Sequence, residues 1–292
     1  MKLKLKAKPP FSLNSVIHSH GWARLAPFLY VEGKEDLGYI YRDKNGRVIK
    51  LNIIENEKGV SVDIHGKGEQ HQLDEITAAV KWMLALNNDF SEFYRLTKSE
   101  PKLRHVEEKA QGRLLRSPTL FEDTIKTILT TNTSWTGTIR MTEALVNHFG
   151  EPIPGSTTEF SFPTPERIST SDEQALREIT RLGYRAPYIL NLAREVASGT
   201  LDLEALKTRE LPGDQLHKQL ISIKGVGNYA AANLMMLLGR YDYLTIDSWA
   251  IKMVSQEFFD GDPISPKDVE RIFEPWGKWK GLAYWLWDWS DS

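Results

Sequence analysis

The sequence contains no cysteine, and this absence excludes several kinds of chemistry. Disulfide bonds, thiolate zinc sites, cysteine-ligated iron–sulfur clusters and cysteine nucleophiles all need the missing side chain. The seven histidines are scattered, and only His18 and His20 stand close together, without a cluster of carboxylates beside them. We therefore expect no metal site and no cofactor.

The chain also lacks an apolar run of the roughly 20 residues that a membrane span requires. Its start, MKLKLKAKPP, does not contain the apolar core of a signal peptide. These absences predict a protein that makes no contact with membranes and is cytoplasmic, associated with a bacterial nucleoid, or otherwise intracellular.

The chain also lacks an excess of charge of either sign, because its formal net charge is only −2. Charge alone therefore does not indicate a protein that binds nucleic acid. The segment from Arg95 to Arg116 is more basic, with seven Lys or Arg residues against three Glu. This segment is compatible with DNA binding and equally with a solvated helix face.

The 292 residues suffice for two ordinary domains, and the hydrophobic pattern changes near residue 76. Before it, the turn clusters Asp43–Gly46 and Asn56–Gly59 separate β-branched runs, which is typical of antiparallel hairpins. After it, apolar residues recur at helical spacing. The predicted fold class is α+β, with a small N-terminal antiparallel β domain over residues 1–75 and a larger all-α domain over 76–292.

Within the second region the pattern predicts a series of helices. One begins behind Ser117 and Pro118. The others cover Thr138–His148, Glu173–Leu182, Pro187–Val196, Asp214–Ile221, Tyr229–Leu238, Ser248–Phe258 and Pro266–Phe273.

The most informative stretch joins two of these helices, over about residues 214–238. Gly225, Val226 and Gly227 form a tight turn, and the next helix begins near Asn228. Glycine allows left-handed backbone and lets a phosphate come close to the main chain, while the amides of the following helix attract an anion. The stretch predicts a helix–hairpin–helix that binds phosphate. The alternative is a turn in which glycine merely lets two helices pack closely.

A second element follows downstream, where Asp247 stands after an apolar segment and before a helix. By propensity alone this residue is a helix N-cap. Together, Lys224-Gly225-Val226-Gly227 and Ile246-Asp247 resemble the hairpin and catalytic aspartate of the helix–hairpin–helix DNA glycosylase superfamily. The chain is most similar to the branch that holds the bacterial 3-methyladenine DNA glycosylase II and the 8-oxoguanine DNA glycosylases, which carry an N-terminal β domain.

The resemblance implies roles for individual residues. Asp247 is expected to be the catalytic carboxylate, and Tyr184 to wedge into the base stack. The implied DNA-binding residues are Lys224, Gly225, Val226, Gly227, Asn132, Tyr184 and Arg185, and the implied base pocket holds Tyr229, Asn233, Trp249 and Trp285. Four of these have plain structural alternatives: a helix end for Asn132, a helix cap for Tyr184, a surface charge for Arg185 and a satisfied polar group for Asn233.

Two departures from the family refine the expected activity. Bifunctional members place a lysine nucleophile where this chain has Tyr229, and a phenol cannot form a Schiff base. The 8-oxoguanine enzymes also carry an arginine where Gly137 stands. The resemblance therefore implies a monofunctional DNA glycosylase that hydrolyses the N-glycosidic bond of flipped, damaged purines, mainly alkylated ones, in duplex DNA. A monomer is the default expectation for its assembly. The alternatives are an 8-oxoguanine-type glycosylase without the lyase lysine, and a non-catalytic DNA-binding module.

Overall fold

The computed structural model describes residues 1–65, 70–244 and 246–290 of the chain. Five antiparallel strands form a sheet in the order β1-β5-β4-β3-β2. They are β1 (Lys2–Lys6), β2 (Phe28–Leu29), β3 (Asp36–Arg42), β4 (Val48–Asn56) and β5 (Gly59–His65). The two predicted hairpins join β3 to β4 and β4 to β5, and Leu51 of β4 lies opposite both Tyr39 and Ile64. Leu51 and Ile53 are fully buried, so β4 is the centre of the sheet's apolar face.

Helices dominate the rest of the described chain. They are α1 (Leu13–Ile17), α2 (Gln70–Met83), α3 (Ser91–Thr97), α4 (His105–Glu108), α5 (Leu120–Thr130), α6 (Trp135–Phe149), α7 (Pro165–Ser169), α8 (Glu173–Ile179), α9 (Ala186–Ala197), α10 (Gly213–Ile221), α11 (Asn228–Leu237), α12 (Ser248–Phe258), α13 (Pro266–Phe273) and α14 (Lys280–Leu286). Side chains of Thr119, Ser134 and Asp172 cap the first turns of α5, α6 and α8. The predicted fold class, a small antiparallel sheet followed by a helical region, is confirmed.

The chain divides into two compact units by its contacts. Unit 1 combines the chain up to Asn88 with Arg113–Arg209, and unit 2 combines Asp89–Gly112 with the chain from Glu210 onward. The expected boundary between residues 75 and 76 rested on the change from strands to helices. The compact units are divided differently, because unit 1 contains the sheet and also several helices. The reason is that α5 packs with the sheet: the Tyr39 hydroxyl on β3 donates to Glu122 on α5 at 2.6 Å.

The first turn of α5 is also the site of a buried group of charges in unit 1. The Lys126 ammonium lies 2.6 Å from Glu122, and both side chains are almost fully buried. Asp123 beside them accepts hydrogen bonds from the Trp22 indole at 2.8 Å and from the Ser117 amide at 2.9 Å. Burial raises the pKa of Asp123 to about 6 in spite of these bonds.

The basic segment Arg95–Arg116 does not form one exposed positive face. Arg113 and Arg116 are buried, and Arg113 donates to several backbone carbonyls. Lys98 and Lys102 form ion pairs with glutamates at 3.3 and 3.2 Å. Four of the seven basic residues of this segment are therefore either buried or paired with a glutamate. No helix in the described parts of the chain is both long and apolar enough to cross a membrane.

Candidate active site and DNA-binding residues

Helices α10 and α11 form the predicted helix–hairpin–helix in unit 2. Gly225 in the connecting turn has φ +89°, a conformation that glycine adopts without strain. The buried Val226 anchors the turn, and its amide donates to the Ile223 carbonyl at 3.0 Å. Gly227 caps α11 and has no side chain to bond the first-turn amides, and a Cβ there would meet no atom within 4 Å. The amides at the start of α11 are therefore left to water or to an anion, which has free access to them.

Asp247 lies at the N-terminus of α12, also in unit 2. Its Oδ1 accepts a hydrogen bond from the Ala250 amide at 2.8 Å, so the residue is the N-cap that its propensity indicates. The side chain is nevertheless exposed. Because a carboxylate has two oxygens, the cap bond fixes the group while Oδ2 can serve a second purpose.

A cavity of about 480 Å³ brings the aspartate and the hairpin together. Its lining consists of Asn228, Tyr229, Asp242, Tyr243, Leu244, Ile246, Asp247, Glu270 and Lys280. Tyr229 comes from the first turn of α11, and 49% of its surface is exposed. Two expected site residues, Asp247 and Tyr229, thus line the same cavity, which is large enough for a small planar group.

The same cavity contains charged residues that the sequence did not suggest. Lys280, from the start of α14, has its ammonium 3.3 Å from a carboxylate oxygen of Glu274. Glu270 of α13 and Tyr243 also line the cavity, and burial followed by the charge of Glu270 raises the pKa of Tyr243. No local motif marks these residues, because they reach the cavity through the packing of separate helices.

The other three residues of the expected base pocket are not among the residues that line this cavity. Trp249 is 49% exposed and lies edge-on to Tyr284 and Trp289, with ring centroids 6.2 and 5.9 Å away. Trp285 on α14 is 39% exposed. Asn233 donates its side-chain amide to the Tyr229 carbonyl at 3.1 Å, as its structural alternative predicts.

Tyr284 contacts the ring of Trp249 and is also close enough to Asp247 to interact with its charge. Its pKa is raised well above the ordinary value, first by burial and then by the negative charge of Asp247. Tyr284 was not expected as a site residue, although it precedes Trp285 directly in the sequence.

The remaining DNA-binding candidates meet in unit 1. Asn132 lies between α5 and α6 with φ +45° and an exposed side chain. Tyr184 lies in the short 3-10 turn Gly183–Arg185, is 46% exposed, and donates its hydroxyl to the Thr131 carbonyl at 3.5 Å. Arg185 is 6% exposed and donates to the carbonyls of Thr131 and Asn132. Two of the three candidates, Asn132 and Tyr184, thus present adjacent surface groups, whereas Arg185 is buried beneath them.

Metal ligands do not cluster in the described residues: no group of three or more His, Asp or Glu side chains there is placed to hold an ion.

Comparison with known proteins places the chain in a family. A model described as the HhH-GPD superfamily of base excision DNA repair proteins matches residues 125–278, a segment that contains the hairpin and Asp247. The chain belongs to this family. The superfamily that the hairpin and the aspartate indicated is thereby confirmed.

Individual relatives extend the likeness to nearly the whole chain. A DNA-3-methyladenine glycosylase of Bacillus subtilis is 26% identical over 279 residues, which cover 86% of this chain and 91% of the relative. Among solved structures, a 3-methyladenine DNA glycosylase from Archaeoglobus fulgidus shares the fold with a TM-score of 0.75 at 22% identity, covering 98% of this chain and 97% of the other. An 8-oxoguanine glycosylase/lyase of Clostridium acetobutylicum, solved with double-stranded DNA, gives 0.65 at 19% identity, with 90% and 97% covered.

Proposed function

We propose that this protein, a DNA glycosylase of base excision repair, hydrolyses the N-glycosidic bond of damaged purines that have been flipped out of duplex DNA, alkylated purines first. The observation that carries the proposal is the shared cavity of Asp247 and Tyr229 behind the hairpin. This cavity is lined by a carboxylate fixed by its cap bond and by an aromatic ring from the first turn of α11, next to the turn that we propose binds phosphate.

The DNA is held through its backbone at the hairpin. The open amides at Gly227 and at the start of α11 bind a phosphate, and the exposed Lys224 adds positive charge there. In unit 1 the exposed ring of Tyr184 fills the gap that the flipped nucleotide leaves, and the Asn132 side chain contacts the base without its partner. Flipping is required because the sugar of a stacked nucleotide is out of reach of a protein group.

Asp247 performs the central step. As the bond between C1′ and the base breaks, positive charge develops on the deoxyribose, and the carboxylate stabilises this charge while water adds to C1′. An N-alkylated purine is already cationic, so it takes the bonding electron pair and leaves as a neutral base without a proton donor. Stacking on Tyr229 favours such an electron-poor ring. Trp285 and Trp249 do not line this cavity, and their exposed rings stay candidates for contact with the flipped base.

The reaction ends without strand cleavage in this proposal. The hairpin position that would carry a lyase nucleophile is Tyr229, whose phenol cannot form a Schiff base. Lys280 does bring an amine to the cavity, but this amine is ion-paired with Glu274. Any lyase activity of the protein would have to come from an amine at a position other than 229.

The preference for alkylated purines is supported by the name of the Bacillus subtilis relative, a DNA-3-methyladenine glycosylase. The second candidate is an 8-oxoguanine-type glycosylase without the lyase lysine. Tyr184 and Asn132, exposed side by side, favour it, whereas Gly137 lacks the side chain with which that group is expected to read an opposite cytosine.

We also propose an assembly, a location and a cofactor requirement for the protein. It acts as a monomer inside the cell, in the cytoplasm with access to the DNA. It needs neither a metal ion nor an organic cofactor, because a carboxylate and water suffice for a cationic leaving group. Full activity in excess chelator supports this part of the proposal, and restoration of a lost activity by a divalent ion would overturn it.

The test is base release from labelled duplexes that carry 7-methylguanine, 1,N6-ethenoadenine, hypoxanthine, uracil or 8-oxoguanine. Half of each reaction is treated with hot alkali, which breaks the strand at abasic sites. We expect breaks at the alkylated purines in the treated half alone. Breaks without alkali would overturn the monofunctional activity, and their loss in Lys280→Met would identify the amine. Binding of DNA without release of any base would favour the non-catalytic module.

A further inference from the structure

Arg185 is buried, although the family resemblance assigns it a contact with DNA. Its side chain has 6% exposure. One terminal nitrogen donates to the carbonyls of Thr131 and Asn132, the latter at 3.2 Å, and the other lies 4.0 Å from the Met141 sulfur. These contacts use three of the five guanidinium N–H donors, and a fourth, at Nε, is buried.

The carbonyls that Arg185 binds belong to the end of α5. Thr131 is the C-cap of that helix, and the partial negative charge of a helix C-terminus stabilises a cation there. The next residue, Asn132, has left-handed backbone with φ +45°, a conformation that costs most residues energy and that asparagine tolerates best. The guanidinium thus fixes the backbone on which the exposed Asn132 side chain is carried.

Tyr184 is held by the same group. The Arg185 guanidinium carbon lies 4.5 Å from the centroid of the Tyr184 ring, a cation–π contact. The ring is bound from its other end as well, since its hydroxyl donates to the Thr131 carbonyl at 3.5 Å. Loss of Arg185 would therefore release the wedge residue and the loop residue together.

We propose that Arg185 is a positioning residue: it preorganises Tyr184 and Asn132 for insertion into the base stack and touches no DNA base itself. This inference rests on the proposed function, because it assigns those two residues to the DNA. A rigid pair inserts without first losing conformational freedom, so positioning acts on the flipping step rather than on the cleavage of the bond.

The experiment is a double-mutant cycle with Arg185→Met and Tyr184→Ala, read on two substrates in single-turnover base release. In one substrate the lesion is paired, and in the other it faces an abasic-site analogue, so that less stacking and pairing must be broken. Arg177→Met is the matched control, because it removes the same charge from an exposed i,i+4 ion pair with Glu173.

On the paired lesion we expect each single variant to release base about tenfold more slowly, and the double variant to be no more than about twofold slower than the slower single one. On the unpaired lesion Arg185→Met should lose less than about threefold. Losses that stay additive when Asn132→Ala is introduced together with Tyr184→Ala would overturn the proposal, because Arg185 would then act through neither residue. Equal losses on both substrates, together with a lowered melting temperature, would also overturn it and leave a purely structural role.

A second readout separates this inference from the proposed function. The fluorescence of 2-aminopurine in the place of the lesion rises when the base is unstacked, whether or not a bond is cut. If the wild-type protein flips 2-aminopurine but releases none of the damaged purines from the lesion duplexes, the proposed activity fails and the cycle is read from the fluorescence instead. A wild-type increase that Arg185→Met leaves unchanged would contradict the positioning role alone.

Discussion

Asp247 is a capping residue, and we propose that it is also the reactive one. Its Oδ1 bonds the Ala250 amide at 2.8 Å, which orients the side chain on the first turn of α12. The charge of the carboxylate is felt by Tyr284, and the group lines the same cavity as Tyr229. The N-cap interpretation of the sequence was therefore correct without excluding a catalytic role, since the cap bond supplies the fixed geometry that charge stabilisation requires.

Tyr229 occupies the place where bifunctional relatives are expected to carry lysine, and this leads to a gain-of-function prediction. In Tyr229→Lys, an amine in the cavity can add to the ring-opened aldehyde of an abasic site and lose water to give an imine. We expect borohydride, which reduces the imine, to trap a covalent protein–DNA complex in this variant but not in the wild type or in Tyr229→Phe.

The control for this prediction concerns the other amine of the cavity. Trapping by the wild-type protein that disappears in Lys280→Met would show that Lys280 already reaches the sugar. A folded Tyr229→Lys variant that binds abasic DNA and yet is never trapped would contradict the placement of Tyr229 next to C1′.

At the scale of elements, the two glycines of the hairpin turn allow the effect on folding to be measured separately from the effect on phosphate binding. Gly225 has φ +89°, so alanine there is strained, whereas Gly227 has φ −90° with open space around its Cβ position. We expect Gly225→Ala to lower the free energy of unfolding by about 1–2 kcal/mol.

Gly227→Ala should leave the melting temperature nearly unchanged and weaken DNA binding by about three- to tenfold, because its methyl group stands in front of the amides. Thermal melts and equilibrium binding to abasic duplex check both variants. Unchanged DNA affinity in Gly227→Ala would contradict phosphate binding at this turn.

Elements with strong local signals were predicted well from the sequence. The bounds of α12 and α13 agree with the prediction, and β3, β4 and β5 follow the turn clusters between them. Helix α2 begins at Gln70, before the change that the pattern placed near residue 76. Helix α14 was missed because its seven residues include a glycine and adjacent aromatic residues, which give no clear helical period.

For the whole molecule, what the sequence could not reveal is which distant residues meet. Lys280 and Glu270 reach the cavity of Asp247 only through the packing of α13 and α14. Arg185 binds carbonyls 53 and 54 positions away, so its burial has no local signature. Motifs identified the residues that are proposed to carry the chemistry. The residues that line the cavity around them, and Arg185 beneath Tyr184 and Asn132, are recognised only in the folded structure.

Two titratable side chains of unit 1, the half-buried His20 and the fully buried Asp123, predict how the stability of the protein depends on pH. Burial, with the charge of Lys126, lowers the pKa of His20 from 6.5 to about 3, and burial raises that of Asp123 from 3.8 to about 6. Unfolded His20 takes up a proton as the pH falls below 6.5, so acidification removes its contribution to stability. Asp123 acts in the opposite direction. As the pH falls, its carboxylate is protonated near pH 6 in the folded state but only near pH 3.8 in the unfolded state, so its contribution to stability rises over this range.

Single substitutions should separate the two effects. Relative to the wild type, His20→Gln should gain stability as the pH falls from 6.5 to 4, and Asp123→Asn should lose it from 6 to 4, each by up to about 1.4 kcal/mol per pH unit. Denaturant titrations across this range measure the slopes, with the exposed His148→Gln as control. Parallel pH profiles for wild type and His20→Gln would contradict the burial of a neutral His20.

The central claim is that the Asp247 carboxylate drives cleavage of the N-glycosidic bond, and Asp247→Asn tests it most directly, since asparagine preserves the N-cap but not the charge. The measurement is single-turnover base release from the best alkylated lesion, with equilibrium binding to an abasic duplex and with Asp214→Asn, an exposed carboxylate of α10, as control. We predict that Asp247→Asn releases base at least about 100-fold more slowly and binds abasic DNA within about threefold of the wild type. Release at the wild-type rate by a folded Asp247→Asn protein would contradict the account.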